Sequence, residues 1–248
     1  ARSQKISWIA QNQPELKDKV IVSLSMEGNI PEFKGYGSAE YANTVQRANT
    51  KGGLGAYFGD KLEGFAKVGL NGIGMQPGYS HLKIDGKNVS VEEEYKRLIA
   101  DGIMVPVFTG KDAIMVRAWD EDPTAHTQDA EDRLNPQVAV EVYKINRGGT
   151  TDYIIRSKVL DVLYTNDRVH RFTQEIVFGK AVYEICDRLN IIPDMLHLNE
   201  AHTVVAAALM RANPKFNRMA IVYTNHTIVP AGLEMFSAGQ LRSDINRM

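Results

Sequence analysis

Residues 194–237 fall into four segments of alternating period. DMLHL (194–198) and MAIVYT (219–224) read as short buried strands, while AHTVVAAALMRA (201–212) and AGLEMFS (231–237) read as helices. Two strands joined through a helix cannot form a hairpin. They pair in parallel, and a parallel sheet needs helices packed on its faces. The tail therefore predicts an α/β fold. VIVSLSM (20–26) adds a further strand of the same buried type.

The rest of the chain fits around that sheet. Residues 27–36 carry Gly28, Pro31 and Gly35 and read as a loop, with a helix expected over about 38–49. KGGLG (51–55) reads as a glycine turn that leads into a helix over Ala56–Val68, where Tyr57, Phe58, Leu62, Phe65 and Ala66 recur at helical spacing. From about 80 to 160 the runs VPVFTG, AIMVRAW, VAVEVYKI and TTDYIIRSKV suggest a β-rich region, interrupted by an acidic surface loop at 120–136. EEEYKR (92–97) reads as a solvated helical face. A long helix is expected from about Asp167 to Leu189, with Asn166 as its cap and Val169, Phe172, Ile176, Ile185 and Leu189 as its apolar stripe.

Composition removes several function classes. With 29 basic and 30 acidic residues the net charge is −1, so no general attraction to nucleic acid or to an anionic membrane is expected. No stretch approaches the roughly 20 apolar residues needed to span a bilayer. The N-terminal segment has no apolar core of signal-peptide type. One cysteine, Cys186, cannot form an internal disulfide and reads as a buried structural thiol. A cytoplasmic protein is expected.

Four places could carry chemistry. Gly52, Gly53, Leu54 and Gly55 precede a helix, where free backbone N–H groups and the positive dipole end favour an anion. A plain tight turn accounts for the same residues. The loop lacks the Lys-Ser/Thr of a nucleotide P-loop and the spacing of a dinucleotide site. Glu200 and His202 follow the DMLHL strand, at the carboxyl end where open α/β sheets bind ligands. They suit sugar hydroxyls, although a helix-terminal carboxylate and a satisfied histidine would look the same. Asn225, His226 and Thr227 follow the next strand and carry short directional donors and acceptors. Glu27 follows the first strand and reads as a cleft carboxylate or a solvated loop residue. His197, His202 and His226 do not have diagnostic metal-ligand spacing, so no metal is expected.

In order along the chain, these segments resemble the α-glucan phosphorylases that act on glycogen, starch and maltodextrin. The resemblance rests on SLSMEG (23–28), KGGLG (51–55), LYTND (163–167) with RFTQEIVFG (171–179), LHLNEAH (196–202) and YTNHTIVPAG (223–232). It spans about residues 20–240 and is most specific at the last segment. Lys51 stands where the family has Asn, and Ala201 where it has Gly or Thr.

The resemblance implies a Rossmann-like three-layer domain with an inserted β-rich region at about 80–160, one lobe of the glycosyltransferase-B architecture, filling residues 1–248. It implies phosphorolysis of α-1,4-glucan to glucose 1-phosphate. Gly52, Gly53 and Leu54 would offer N–H groups to phosphate. Glu27, Glu200, His202, Asn225 and Thr227 would line the glucosyl pocket, and His226 would sit beside the developing oxocarbenium carbon. The implied cofactor is pyridoxal phosphate. Its lysine is not identifiable here, because in the family it lies in a C-terminal domain. The chain is thus expected to be a fragment, one half of a split enzyme completed by a partner chain, or a homologue without phosphorolysis, with homo-oligomerisation a further expectation. A starch or glycogen synthase-like glucosyltransferase is the alternative, since such enzymes share the Lys-x-Gly-Gly-Leu-Gly loop and a segment similar to DMLHLNEAHT. A non-catalytic glucan-binding subunit is the third reading.

Overall fold

The computed structural model describes residues 7–28, 30–33, 53–118, 137–163, 165 and 167–226. The helices expected at 38–49 and 231–237, the acidic loop at 120–136, and Asn166, Gly52 and Thr227 lie outside the described residues.

A short helix α1 (Trp8–Asn12) precedes strand β1 (Val20–Ser25). Helix α2 (Gly53–Val68) and strand β2 (Asn71–Pro77) follow. Next come a hairpin, β3 (His81–Ile84) and β4 (Lys87–Ser90), and helix α3 (Glu92–Ala100). Four strands continue: β5 (Val105–Phe108), β6 (Ile114–Arg117), β7 (Gln137–Arg147) and β8 (Thr150–Arg156). The chain then forms helix α4 (Arg168–Arg188), strand β9 (Met195–Asn199), helix α5 (Val204–Ala212) and strand β10 (Ala220–Thr224).

Eight strands join one sheet in the order β10-β9-β1-β2-β8-β7-β5, with β6 also pairing β7. From β10 to β8 every pairing is parallel, as the strand–helix alternation predicts. The pairings of β7 with β8, β5 and β6 are antiparallel. Most of the β-rich stretch therefore extends the main sheet, and only β3–β4 stands apart. The reason is local: Gly148 and Gly149, both at positive φ, make the tight return from β7 to β8 that antiparallel neighbours allow.

The chain path matters most for function. From β1 it moves outward to β2 and β8, then α4 carries it back across the sheet to β9 on the other side of β1. The strand order therefore reverses between β1 and β9. In open α/β sheets the crevice at the carboxyl ends of such a switch point is where ligands bind.

The two faces of the sheet differ. Val22, Leu24, Met75, Leu196 and Leu198 form one face and pack with Val177, Phe178, Ala181 and Val182 of α4 and with Ala206 and Met210 of α5. Burying each large side chain of this set contributes about 1.5–3 kcal/mol before entropy is counted. At Gly179 a Cβ would lie 2.7 Å from Val205 Cγ1, so the missing side chain is what lets α4 and α5 touch. The other face carries Ser23, Gly74, His197, Asn199 and Asp152, and α2 lies on it. A Cβ on Gly74 would sit 2.5 Å from Leu62 Cδ1.

Three local expectations are corrected. Helix α2 begins at Gly53, not after Gly55, so Gly53, Leu54 and Gly55 form its first turn. Helix α4 is capped by Asp167, whose carboxylate accepts from Val169 N at 2.9 Å and His170 N at 3.2 Å; a charged cap at this position also suits the helix dipole. The α3 segment is not a solvated face throughout. Glu94 shares the inward stripe with Leu98, four residues on, and is fully buried against Arg97 at 3.3 Å. Tyr95 is buried too, under the Arg156 guanidinium. Cys186 is buried as expected, and burial pushes its thiol up to about 12, which makes it inert. Among the described residues no helix is long and apolar enough to cross a membrane.

Candidate functional site

The residues singled out in the sequence converge on the carboxyl edge of the parallel strands. Glu27 lies two residues after β1, Glu200 and His202 directly after β9, and Asn225 and His226 directly after β10. Backbone hydrogen bonds fix the loops to one another. Glu200 N donates to Thr224 O at 2.9 Å, and His226 N donates to Glu200 Oε1 at 2.7 Å. The β1 loop is held by Ser25 Oγ on Glu27 O at 2.7 Å and by Tyr79 Oη on Met26 O at 3.0 Å.

The first turn of α2 closes over this loop. A Cβ on Gly55 would stand 3.3 Å from Gly28 O, so the helix start lies directly against Gly28. The first four N–H groups of a helix have no intrahelical acceptor. Gly53 and Leu54 thus place anion-seeking groups at the same edge as the carboxylates and histidines. Glycine here also removes the side chains that would hold a ligand away from the backbone.

Glu200 is strained. Its φ of 64° and ψ of 167° fall in a region that is essentially glycine's own. The side chain is buried, and its carboxylate is spent partly on the His226 backbone. A residue held this way costs roughly 1–3 kcal/mol, and such strain collects at functional sites.

The charges centre on Arg171, which the sequence reading quoted in RFTQEIVFG but gave no role. It lies in the first turn of α4 and donates to His202 Nε2. Because Arg can only donate, that nitrogen accepts and the His202 proton sits on Nδ1. Burial, followed by the Arg171 charge, lowers His202 to about 4, so it is a neutral imidazole at physiological pH. Burial raises Glu27, and the Glu200 charge raises it further, with Arg171 opposing. Met26, Tyr79, Leu163, Arg171, Gln174, Glu175 and His202 line a small pocket at this point. Gln174 braces it through Val159 O at 3.0 Å and Val162 O at 3.1 Å. The signal for Arg171 was weak in sequence, since it meets His202 only because α4 crosses the sheet.

Replacing Arg171 by methionine should raise the His202 pKa by about one unit, because one of its two depressing causes is removed. A histidine NMR titration measures this, and an unmoved His202 would show that burial alone depresses it.

A second polar row runs deeper, under α2. His197 Nε2 lies 2.7 Å from Thr224 Oγ1, while its Nδ1 meets Lys61 Nζ at 2.6 Å and Ser23 Oγ at 3.2 Å. Burial, Lys61 and His226 lower His197 to about 4. The Asn199 carboxamide is fully buried in the same row as Ser25 and Thr224, with no hydrogen-bond partner on either atom. Tyr57 meets the His226 ring edge-on, with centroids 5.1 Å apart. Among the described residues no group of three His, Cys, Asp or Glu is placed to hold a metal ion.

The two depressed histidines set a pH dependence. Unfolded, each protonates near 6.5, while folded His197 and His202 resist protonation until about 4. The unfolded state then binds more protons between these values. Stability is complete above about 6.5 and falls as pH drops toward 4, by up to about 1.4 kcal/mol per pH unit for each ring. Urea unfolding at pH 7, 6 and 5 should show midpoints that fall steadily. Asp152, which burial lifts to about 6, opposes this slope at the lower end. The slope is therefore compared with that of a His197→Asn, His202→Asn chain, and equal slopes would mean that neither ring is held neutral.

A reversed parallel sheet with carboxylates and histidines at its switch point, beside the start of a helix, is the ligand-binding edge of an open α/β lobe. Residues 96–238 match the family model of the starch synthase catalytic domain. The chain belongs to that family, and its fold is a Rossmann-like lobe of the glycosyltransferase-B type. It is also 25% identical to the maltodextrin phosphorylase of Thermococcus litoralis over 262 residues, covering 95% of this chain. It is 25% identical to the glycogen phosphorylase of Mycobacterium tuberculosis over 250 residues, covering 88% of this chain. The chain spans 28% of the length of each of these relatives. Among solved structures it is similar to the catalytic domain of starch synthase IV from Arabidopsis thaliana bound to ADP and acarbose. That similarity has a TM-score of 0.46 and 13% identity, over 84% of this chain and 34% of that one.

Proposed function

We propose that this chain forms the glucosyl-binding wall of an α-glucan phosphorylase. The observation that carries the reading is the convergence of Glu27, Glu200, His202, Asn225 and His226 on the edge that the first turn of α2 also reaches. In this reading phosphate sits at the N–H groups of Gly53 and Leu54, with Gly52 preceding them. The glucosyl unit lies over Glu27, Glu200 and neutral His202. His226 and Asn225 hydrogen-bond its hydroxyls, with Thr227 next in sequence. The phosphate gives its proton to the glycosidic oxygen as the C1–O bond breaks, and a phosphate oxygen then bonds C1. The carboxylates stabilise positive charge developing at C1.

Pyridoxal phosphate, which the resemblance to phosphorylases implies, would supply its 5′-phosphate as an acid partner. Among the described residues the lysine beside the cleft, Lys61, is turned to His197 on the sheet, so it is not assigned to the cofactor. In this reading the cofactor wall is supplied by a second domain or a partner chain.

The family match over 96–238 favours a second reading, a synthase that transfers glucose from a nucleotide sugar to the same glucan end. One incubation separates the two. The chain is combined with maltodextrin, phosphate and pyridoxal phosphate, with and without the C-terminal part of a related phosphorylase. Glucose 1-phosphate formed only with that part is the expected result. Consumption of ADP-glucose in place of phosphate supports the synthase. Glucan binding without turnover in any combination leaves a non-catalytic glucan-binding subunit.

A further inference from the structure

Lys61 is a half-buried cation whose role the proposed reaction leaves open. It projects from α2 toward the polar row of the sheet, where Ser23, His197 and Thr224 come from β1, β9 and β10. Its ammonium lies over the rings of Tyr57, at 5.2 Å, and Phe58, at 5.5 Å. Among the described residues no acidic side chain raises its affinity for the proton, and burial draws it down to about 7. A buried cation without a counter-ion is costly unless its hydrogen bonds have a use.

The bond to His197 determines a tautomer. While Lys61 is an ammonium, below about pH 7, it only donates, and His197 Nδ1 then accepts. The ring proton then sits on Nε2 and donates to Thr224 Oγ1 at 2.7 Å. Thr224 is the last residue of β10, and its carbonyl receives Glu200 N. Glu200 in turn receives His226 N. A second route runs through Tyr57, which lies under Lys61 and meets the His226 ring edge-on.

We propose that Lys61 is a positioning residue for His226: through His197 and Thr224, and through Tyr57, it fixes the end of β10 and the turn that carries Asn225 and His226. Its importance for turnover rests on the phosphorylase reading, whereas its effect on the turn does not. The test separates them.

Histidine-labelled and amide-labelled samples of the whole chain are compared by NMR as wild type, Lys61→Met and Lys61→Arg. In the wild type His197 should carry its proton on Nε2. In Lys61→Met the ring should become a mixture of tautomers, its pKa should rise by about one unit as the neighbouring cation is lost, and the Thr224, Asn225 and His226 amides should shift. Lys61→Arg should restore all three. Thr224→Val cuts the same link from the other end and should move the Asn225 and His226 amides without touching Lys61, which covers a failure of Lys61→Met to fold. A His197 tautomer that ignores Lys61→Met overturns the proposal, and so do Asn225 and His226 amides that stay in place when the tautomer changes. In the assembled enzyme, Lys61→Met should reduce kcat by about ten-fold, roughly the 1.4 kcal/mol of a lost orienting contact, with KM nearly unchanged. If the wild type shows no turnover, the phosphorylase reading fails while the NMR arms still decide the role of Lys61.

Discussion

Alanine in place of His226 is expected to cut glucan turnover by the assembled enzyme about 100-fold or more, roughly 2.7 kcal/mol of transition-state stabilisation. Unfolding should scarcely change. His226 is exposed at the end of β10, so little packing is lost with its ring. The structural hydrogen bond it makes runs from its backbone N to Glu200, and alanine keeps that bond. The ring itself touches Tyr57 and faces the cleft edge. Steady-state kinetics paired with a thermal melt measures both quantities. Activity within a few-fold of wild type would remove His226 from the chemistry, and an equal loss of activity and stability would make it a structural residue.

The second large effect is expected at Glu200, where function should fall while stability scarcely moves. Its φ of 64° suits glycine, so Glu200→Gly relieves the backbone. Removing the carboxylate also ends its repulsion of Glu27. Against this, glycine costs about 0.5–1 kcal/mol in unfolded-state entropy, and the His226 N–H loses its acceptor. These contributions nearly cancel, so the expected change in stability is within about 1 kcal/mol, or about 2–4 °C in the melting midpoint. Glu200→Ala loses the same carboxylate but keeps the strain, and should melt lower than Glu200→Gly. Under the proposed reading glucan binding should weaken at least about ten-fold, since a carboxylate placed under the glucosyl unit is gone. Glu200→Gln keeps the strained side chain and should lose affinity without gaining stability. If Glu200→Gly melts no higher than Glu200→Ala, the backbone there is not a reservoir of strain.

The parallel core was legible because its evidence is local. Leu196 and Leu198 alternate with His197 and Asn199, and the helix that follows has room to cross to β10, so a short window fixes both the strand and its parallel partner. The polar residues after the strands were legible for the same reason: a strand end is visible in sequence, and in a parallel sheet all such ends share one edge. What depends on distant pairing was not legible. Nothing near β9 announces that it returns to the far side of β1, yet that step creates the switch point. The β7–β8 turn looks like any glycine hairpin until β8 is seen beside β2, which turns an expected insertion into an extension of the main sheet. Arg171 reaches His202 across 31 positions of sequence, and Lys61 reaches His197 across 136. Glu94 looked solvated because three acidic residues stand together. Its burial follows from Leu98, one turn away, being drawn into a second cluster with Val91, Tyr95 and Met104.

The account rests on these strand ends forming one glucosyl-binding surface. The most direct measurement is an amide NMR titration of the labelled chain with maltoheptaose. Saturable shifts at Glu27, Gly53–Gly55, Glu200, His202, Asn225 and His226, weakened together in the His226→Ala chain, are predicted. Shifts confined to other surfaces, such as the pocket between Glu63, Lys67 and Arg147, or none at millimolar sugar, would contradict it.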